Sequence, residues 1–436
     1  MNINDFKATL STCDFGKDMM RLISRLFPIC RSITGMGFRE TLNVLKELVP
    51  LQVHEIPSGT QVFDWTVPKE WNINDAYVKN SAGDRIIDFQ KCNLHVVSYS
   101  LPVNKMVSLN ELKAHLFTLP EYPDWIPYRT SYYKEDWGFC LSHNQYLALK
   151  DENYEVCIDA SLEEGHLSYG EYYLPGETEE EVLISCHACH PSLCNDNLSG
   201  IALSAFLAKC LRSLSLRYSY RFLFIPGTIG SITWLALNEN AVSHIQHGLV
   251  VACVGDPGKM TYKKSRQGNA EIDRAVMHVL NKSGEPFEAI DFFPYGYDER
   301  QYCSPGFNLA VGCLMRTPHG RYPEYHTSAD DLNLVREGYL ENSFINYLNA
   351  LGVLEGNWKY IATNPKCEPQ LGKRGLYEAI GGQKERAANQ MALLWVLNLS
   401  DGQHTLLDIA ERSDLPFETI QFAAETLERY ALLQRC

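Results

Sequence analysis

No apolar run in this sequence approaches the roughly 20 residues that a membrane helix needs. The most apolar windows, Tyr220–Pro226 and Leu249–Val254, are far shorter. The stretch Met1–Thr12 has no basic cluster followed by an apolar run, so no secretory leader is expected. Basic residues are in deficit, 39 Lys and Arg against 53 Asp and Glu, and the net charge is −14. Wholesale nucleic-acid binding needs a basic face to replace the counterions around phosphates, and this balance argues against it. The 14 cysteines are scattered, which in a reducing compartment does not read as a disulfide framework. There are no internal repeats and no low-complexity segments. These absences predict a cytoplasmic protein with neither a membrane nor a nucleic acid as partner.

What is present is the composition of a globular chain with sizeable cores, 45% hydrophobic and 21% charged over 436 residues, enough for two or three domains. Phe15, Met19, Leu22, Ile23 and Leu26 recur at helical spacing before Pro28. A second helix carries Leu42, Leu45, Leu48 and Val49. From Val62 to Phe139 short alternating runs broken by prolines read as an inserted β-rich subdomain. Beyond Glu155, apolar strands at Val182–Cys186, Tyr220–Ile225, Leu249–Val254 and Leu309–Leu314 alternate with helices at Gly200–Leu214 and Ile232–Ile245. Apolar strands alternating with helices predict a largely parallel sheet covered on both faces. After a proline-marked linker, Asn364–Pro369, three short helices around the turn Ser413-Asp414-Leu415-Pro416 outline a winged helix.

The densest chemistry lies in Cys186-His187-Ala188-Cys189-His190 and Asp196-Asn197-Leu198-Ser199-Gly200, after a strand and opening a helix. In an open α/β sheet ligands bind beyond the carboxyl ends of the strands, and histidine nitrogen with aspartate oxygen suits zinc. The literal C-x-x-C-H at Cys186–His190 matches haem attachment, but that chemistry follows export. A structural zinc site would need a second ligand pair at suitable spacing, and none is found. A loop whose histidines only pack locally is the bland alternative. A second cluster, Tyr325-His326-Thr327 followed by Asp330-Asp331-Leu332, follows another strand; alone it would be a helix cap. Asp256 ends the strand Val250–Gly255; alone it would be a turn residue.

Together these pieces resemble the di-zinc aminopeptidase family. Asp196-Asn197-Leu198-Ser199-Gly200 is similar to its D-N-x-S-G, whose aspartate bridges two metals, and Tyr325-His326-Thr327 is similar to its Y-H-T, whose histidine is a ligand. His187 stands where the H of the family's H-x-D stands, and Asp256 where its strand-end aspartate is expected. More narrowly, Ile29–Gly35 (I-C-R-S-I-T-G), Asp64–Trp71 and Tyr262–Arg266 resemble a bacterial aminopeptidase-like group of undefined function described in polysaccharide biosynthesis. The resemblance implies a three-layer zinc aminopeptidase-like (phosphorylase/hydrolase-like) α/β fold. Its parts would be an α/β domain over 1–61 and 140–360, the β-rich insert over 62–139 and a winged helix over 361–436.

Two departures follow. The family's paired glutamates, one a general base and one a ligand, are replaced by Gly227-Thr228, and the aspartate of H-x-D by Cys189. Loss of a ligand points to one tightly bound zinc. The resemblance implies zinc held by Asp196, Asp256, His326 and one or both of His187 and His190. In the loop Asp298-Glu299-Arg300, Glu299 is a candidate base and Arg300, with Tyr325, a candidate substrate contact; a solvated charged turn is the competing reading. The expected activity is hydrolysis of an amide in a small molecule or short peptide. The alternative is a non-catalytic metal- or ligand-binding scaffold. The last helix, Glu418–Arg429, is acidic, so the winged helix is read as a protein-contact or structural module, with Phe417 and Phe422 as candidates for its surface and core packing as the alternative for either.

Overall fold

An eight-stranded mixed sheet organises the first of two units into which the chain divides, residues 1–270 with 286–345; the second is residues 271–285 with 346–436. The computed structural model describes Ile3, residues 14–376 and residues 383–436. Met1–Thr12, apart from Ile3, therefore lies outside the described residues.

The strands of the large sheet are β1 Gln52–Pro57, β2 His166–Leu174, β3 Glu181–His187, β4 Ser219–Ile225, β5 Ile245–Val251, β6 Met260–Lys263, β7 Phe287–Ile290 and β8 Val311–Met315. Their spatial order is β1-β2-β4-β3-β5-β8-β6-β7. The central four, β4-β3-β5-β8, run parallel, with Ile184 beside Phe222 on one side and Leu249 on the other. Antiparallel pairs β1/β2, β2/β4 and β6/β8 flank them. Every residue of β3 is buried, which requires cover on both faces and accounts for the apolar run Val182–Ile184. Helices Phe15–Leu26 and Ser199–Leu211 pack on one another, and the Phe15 ring stacks on Phe344 at 4.9 Å. In Ser199–Leu211 only Lys209 escapes burial, so the helix is apolar all round and carries no amphipathic stripe.

The helix expected over Gly200–Leu214 is Ser199–Leu211 and the strand expected over Leu309–Leu314 is Val311–Met315; two further boundaries differ for local reasons. The strand expected over Leu249–Val254 begins at Ile245 and stops at Val251, because Cys253 takes a positive φ of 50°, outside the β region. The helix expected over Ile232–Ile245 is Ile229–Leu237 plus one turn, Glu239–Val242, broken at Asn238; Ile245 already belongs to β5.

A second, antiparallel sheet in this unit orders Arg85–Asp88, Glu70–Lys79, Asn153–Glu163 and Val103–Ser108. Its strand Asn153–Glu163 passes through Glu164-Gly165 directly into β2. The segment Ile29–Gly35 ties this material to the large sheet. Trp71 N–H donates to Thr34 Oγ1 at 3.0 Å, the Ser32 and Ser98 hydroxyls bond at 2.8 Å, and Trp71 Nε1–H donates to the Ser100 carbonyl at 2.9 Å.

In the second unit, helices Gln383–Leu399, Leu406–Ser413 and Phe417–Arg429 accompany a three-stranded antiparallel sheet ordered Asp401–Thr405, Lys359–Ala362, Leu433–Arg435. Thr405 and Asp408 form a capping box, and Asp414 in the left-handed region turns the chain into Pro416. Ile420, Ala424 and Leu427 bury one face of the last helix, as their spacing predicts. Phe417 belongs to that core at 1% exposure, whereas Phe422 stands 49% exposed, so only the latter of the two candidate surface aromatics faces outward. Among the described residues no helix is long and apolar enough to cross a membrane.

Candidate metal centre

The parallel strands end on one edge of the sheet, and their carboxyl ends deliver the chemistry. His187 closes β3; Pro226-Gly227-Thr228 follow β4, Cys253 and Asp256 follow β5, and His319 and His326 follow β8. Asp196 sits in the loop between β3 and the helix Ser199–Leu211.

Asp196 is fully buried, and each of its carboxylate oxygens faces a histidine. His187 Nε2 lies 2.8 Å from Oδ1 and His326 Nε2 lies 3.0 Å from Oδ2. Burial alone would raise this carboxyl, but the interaction with the adjacent His190 imidazole and the bonds to His187 and His326 outweigh it and hold Asp196 well below the ordinary range. His187, His190 and Asp196 each offer a ligand atom, and these lie within 4.8 Å of one another. Burial lowers the His190 imidazole to about 3, so it is neutral and competent as a ligand. Its Nδ1 sits 2.5 Å from the Cys189 carbonyl, an acceptor, which makes Nδ1 the protonated nitrogen and frees Nε2. The structure therefore gathers His187, His190, Asp196 and His326. Both histidines of the first loop are present, and nothing in the geometry sets one of them aside.

The loops are braced from several directions. Arg31, 1% exposed and from the Ile29–Gly35 segment, donates to the Leu26 carbonyl at 2.6 Å and the His190 carbonyl at 3.0 Å. The Asn197 amide donates to the Val251 and His187 carbonyls at 2.9 and 3.1 Å, and its Oδ1 accepts from Cys253 N–H at 3.2 Å. One side chain thus ties the ends of β3 and β5 together. Ser199 Oγ accepts from Val254 N–H at 3.1 Å. The Asp330 carboxylate accepts from the backbone N–H groups of Asn195 at 2.6 Å and Asp196 at 3.0 Å. Burial nonetheless pushes Asp330 up to about 8. His326, at a φ of 56°, is held by its carbonyl, which accepts from Tyr128 N–H at 2.8 Å.

Other expected residues are placed differently. Asp256 is not brought into the group. Its carboxylate accepts from Asn195 Nδ2, Gly258 N–H, Thr317 N–H and Thr317 Oγ1 at 3.0, 2.8, 3.1 and 2.5 Å, so it ties the end of β5 to the end of β8. Glu299 is not presented to the cleft either: at 1% exposure it accepts from Lys263 Nζ at 2.6 Å and from Tyr297 N–H at 3.2 Å. Asp298 and Glu299 are both buried, so the turn is not a solvated one. Arg300 does line the cleft, with its guanidinium 3.4 Å from Thr228 Oγ1. Tyr325 stacks on His326 with ring centres 4.0 Å apart.

Sequence reasoning missed three groups. Cys253 and His319 each present a ligand atom within 4.8 Å of Asp196 and of one another. The strand-end rule that singled out Asp256 applies three residues earlier to Cys253. His319 follows β8 as His326 does, and burial lowers its imidazole. The third is Tyr297, whose ring stacks on His187 at 3.6 Å and occupies the space beside Gly227. A Cβ at 227 would lie 2.1 Å from the Tyr297 hydroxyl. No motif announced this tyrosine.

The cluster opens onto a cavity of about 380 Å³ walled by Trp65, Tyr128, Tyr132, Tyr133, Arg129 and Arg300, with His190, His326 and Thr228 also on its surface. No carboxylate lines it among the described residues. Asp298, just behind, receives Thr228 N–H at 2.7 Å and Ser231 Oγ at 2.9 Å on Oδ1, while Oδ2 is buried without a partner. Burial raises this carboxyl to about 6.

Residues 20–357 match the family model described as a domain of unknown function (DUF4910), and residues 358–435 match a winged helix-turn-helix. A protein of Clostridium acetobutylicum named "Putative polysaccharide biosynthesis protein with aminopeptidase-like domain" is 54% identical over 97% of this chain and 98% of its own. The crystal structure of a "putative peptidase" from the same organism superposes with a TM-score of 0.95 at 51% identity, covering both chains fully. A zinc aminopeptidase from Bacillus subtilis superposes at 0.56 with 12% identity, over 77% of this chain and 94% of that one. A peptidase M28 precursor from Shewanella amazonensis gives 0.56 at 11% identity, over 81% and 96%. These last two likenesses concern the fold, which is that of the zinc aminopeptidases.

Proposed function

This chain belongs to the DUF4910 family and carries its aminopeptidase-like fold with a C-terminal winged helix; from that premise and the cluster around Asp196 we propose that it is a zinc-dependent hydrolase of an amide or peptide bond. The observation that carries the reading is a buried, ionised carboxylate with a histidine on each oxygen and a third beside it, at the carboxyl edge of the parallel strands. The donor set fits zinc, which takes imidazole nitrogen and carboxylate oxygen. Asp196, His326 and one or both of His187 and His190 would hold it. Bound there, zinc would polarise a carbonyl and lower the pKa of water.

The chain's own residues do the rest. Arg31 and Asp330 fix the two ligand loops through backbone groups, and Tyr128 and Tyr325 pack on His326. The aromatic walls of the cavity suit the apolar face of a sugar ring or a small side chain. Arg129 and Arg300 offer positive charge to an anionic substituent. An acylated amino sugar fits this combination, in keeping with a role in polysaccharide biosynthesis; a short peptide is the other substrate class. The exposed Phe422 on the winged helix is proposed as part of a contact for a protein partner.

One observation favours a second reading, a scaffold that binds the same ligand without hydrolysing it. Tyr297 fills the space a side chain at position 227 would need, and among the described residues no carboxylate lines the cavity to take a proton from water. The test is zinc content by plasma mass spectrometry, before and after dialysis against limiting zinc, in wild type and His326→Ala. It is paired with a panel of N-acyl amino sugars and aminoacyl amides. Zinc retained by wild type and lost by the variant, with turnover, is the expected result. Zinc without turnover leaves the scaffold, and no zinc in either sample removes the hydrolase.

A further inference from the structure

The Ile29–Gly35 segment is part of a wall between two cavities. Its Ile33 lines the cavity over the histidine cluster, whereas Ile29 and Cys30 line another, of about 790 Å³. Among the described residues the two share no lining side chain. The ligand loops present a residue to each side: His190 and His326 face the first cavity, Ser192 and Ser328 the second. Leu94 and Tyr128, on opposite sides, pack with Leu193 in one buried cluster that completes the wall. The second cavity is therefore no extension of the first, and the chemistry described above leaves it unused.

Its size is that of a small-molecule site. Phe27, Ile29, Phe89, Leu94 and Leu332 give it apolar walls. Among the described residues its charged groups are two carboxylates, Glu40 and Asp331, against one ammonium, Lys91. Asn93 lines it at 8% exposure, with Oδ1 buried and without a partner. The amide nitrogen of that side chain reaches the Pro28 carbonyl only at 3.5 Å. A buried acceptor left in this way costs folding free energy that a donor would restore. An ammonium brings three donors and a positive charge, and the rings of Phe27 and Phe89 accept a cation as readily as an apolar group. A phosphate or other polyanion would instead meet the two carboxylates.

We propose that this cavity is a second ligand site, for a small molecule carrying a primary ammonium on an apolar body. The body lies on Phe27, Phe89 and Leu94, and the ammonium turns to Asn93 Oδ1 and the carboxylates. The inference uses neither a metal nor hydrolysis, so it stands or falls apart from the proposed activity.

Calorimetric titration of the full-length protein with phenethylamine tests it, beside two compounds of similar body, neutral phenethyl alcohol and anionic hydrocinnamate. The expected order of affinity is amine, alcohol, anion, with the amine about tenfold tighter than the alcohol. Glu40→Gln and Asn93→Leu should each weaken the amine by about tenfold and change the alcohol far less. Glu40 is exposed, so its replacement leaves the fold intact and the test does not hang on the buried Asn93 variant, whose thermal melt is recorded alongside. An amine bound no tighter than the alcohol, or bound equally by wild type and both variants, overturns the proposal. So does the absence of amine binding at millimolar concentration.

Discussion

Replacing Gly227 by alanine should destabilise the protein through one identifiable neighbour. The new Cβ would lie 2.1 Å from the Tyr297 hydroxyl oxygen, 2.4 Å from Cε1 and 2.5 Å from Cζ, all below any real contact distance. The obstacle is a ring and not the flexible end of a side chain. It is stacked on His187 at 3.6 Å, with His319 parallel to it at 5.6 Å, so it has little room to retreat. Overpacking of this kind costs about 1–3 kcal/mol. The Gly227 backbone is not in the left-handed region, so alanine carries no conformational penalty there. In a Tyr297→Ala background the obstacle is gone, and Gly→Ala should then stabilise by about 0.4–1 kcal/mol through the unfolded chain. The expected coupling in a double-mutant cycle is therefore roughly 1.5–4 kcal/mol, read from urea denaturation of the four proteins. A coupling under about 0.5 kcal/mol would refute the claim that Tyr297 occupies this space. The same logic bears on catalysis. A glutamate placed at 227 to supply a base should fail on its own and be accommodated only beside a smaller residue at 297.

The buried Asp298 carboxyl, raised from 3.8 to about 6 by burial, should make stability pH-dependent. A raised folded pKa means stability that is complete below the unfolded value and lost as pH rises through about 6. The loss is roughly 3 kcal/mol at 1.36 kcal/mol per unit. Asp298→Asn lacks this titration, so its stability relative to wild type should improve by about that amount between pH 4 and 7.5, and a flat difference in urea melts would contradict the assignment. Lys263→Met should leave the Glu299 charge buried and unpaired, costing about 3–5 kcal/mol, whereas a loss under about 1 kcal/mol in denaturant would mean the pair is screened by solvent. Asn197→Ala strips partners from two backbone carbonyls and one N–H and should cost about 2–5 kcal/mol. It should also weaken zinc retention on dialysis, and unchanged retention would show that the strand ends hold their registry without it.

The fold was readable because its signals are redundant. β3, β4 and β8 carry apolar runs, Val182–Ile184, Phe222–Ile225 and Val311–Met315, as a parallel sheet covered on both faces requires, and the helices between them are long enough to register against noise. The winged helix was equally legible from Thr405, Pro416 and the buried stripe of the last helix. In the site, Asp196, His187, His190 and His326 stood out because they cluster in sequence at strand ends. What sequence could not give was orientation. Asp256 and Glu299 occupy suitable positions along the chain, yet their carboxylates are consumed by Thr317, Gly258 and Lys263, partners fixed only by folding. Cys253 was passed over because its placement beside Asp196 depends on a backbone conformation that the string of apolar residues around it conceals. Tyr297 reaches the cluster from a loop whose path no periodicity predicts.

Asp330 has a consequence beyond bracing. It lies four residues beyond His326, and its carboxylate is the acceptor for the amides of Asn195 and Asp196. The two ligand-bearing loops, 130 residues apart in sequence at Asp196 and His326, are thereby a single cooperative body. They cannot open independently, since parting them would leave those two amides and a buried carboxylate without partners. Amide exchange at 195 and 196 should accordingly be as slow as that of β3 itself, although the histidines they position face an open cavity.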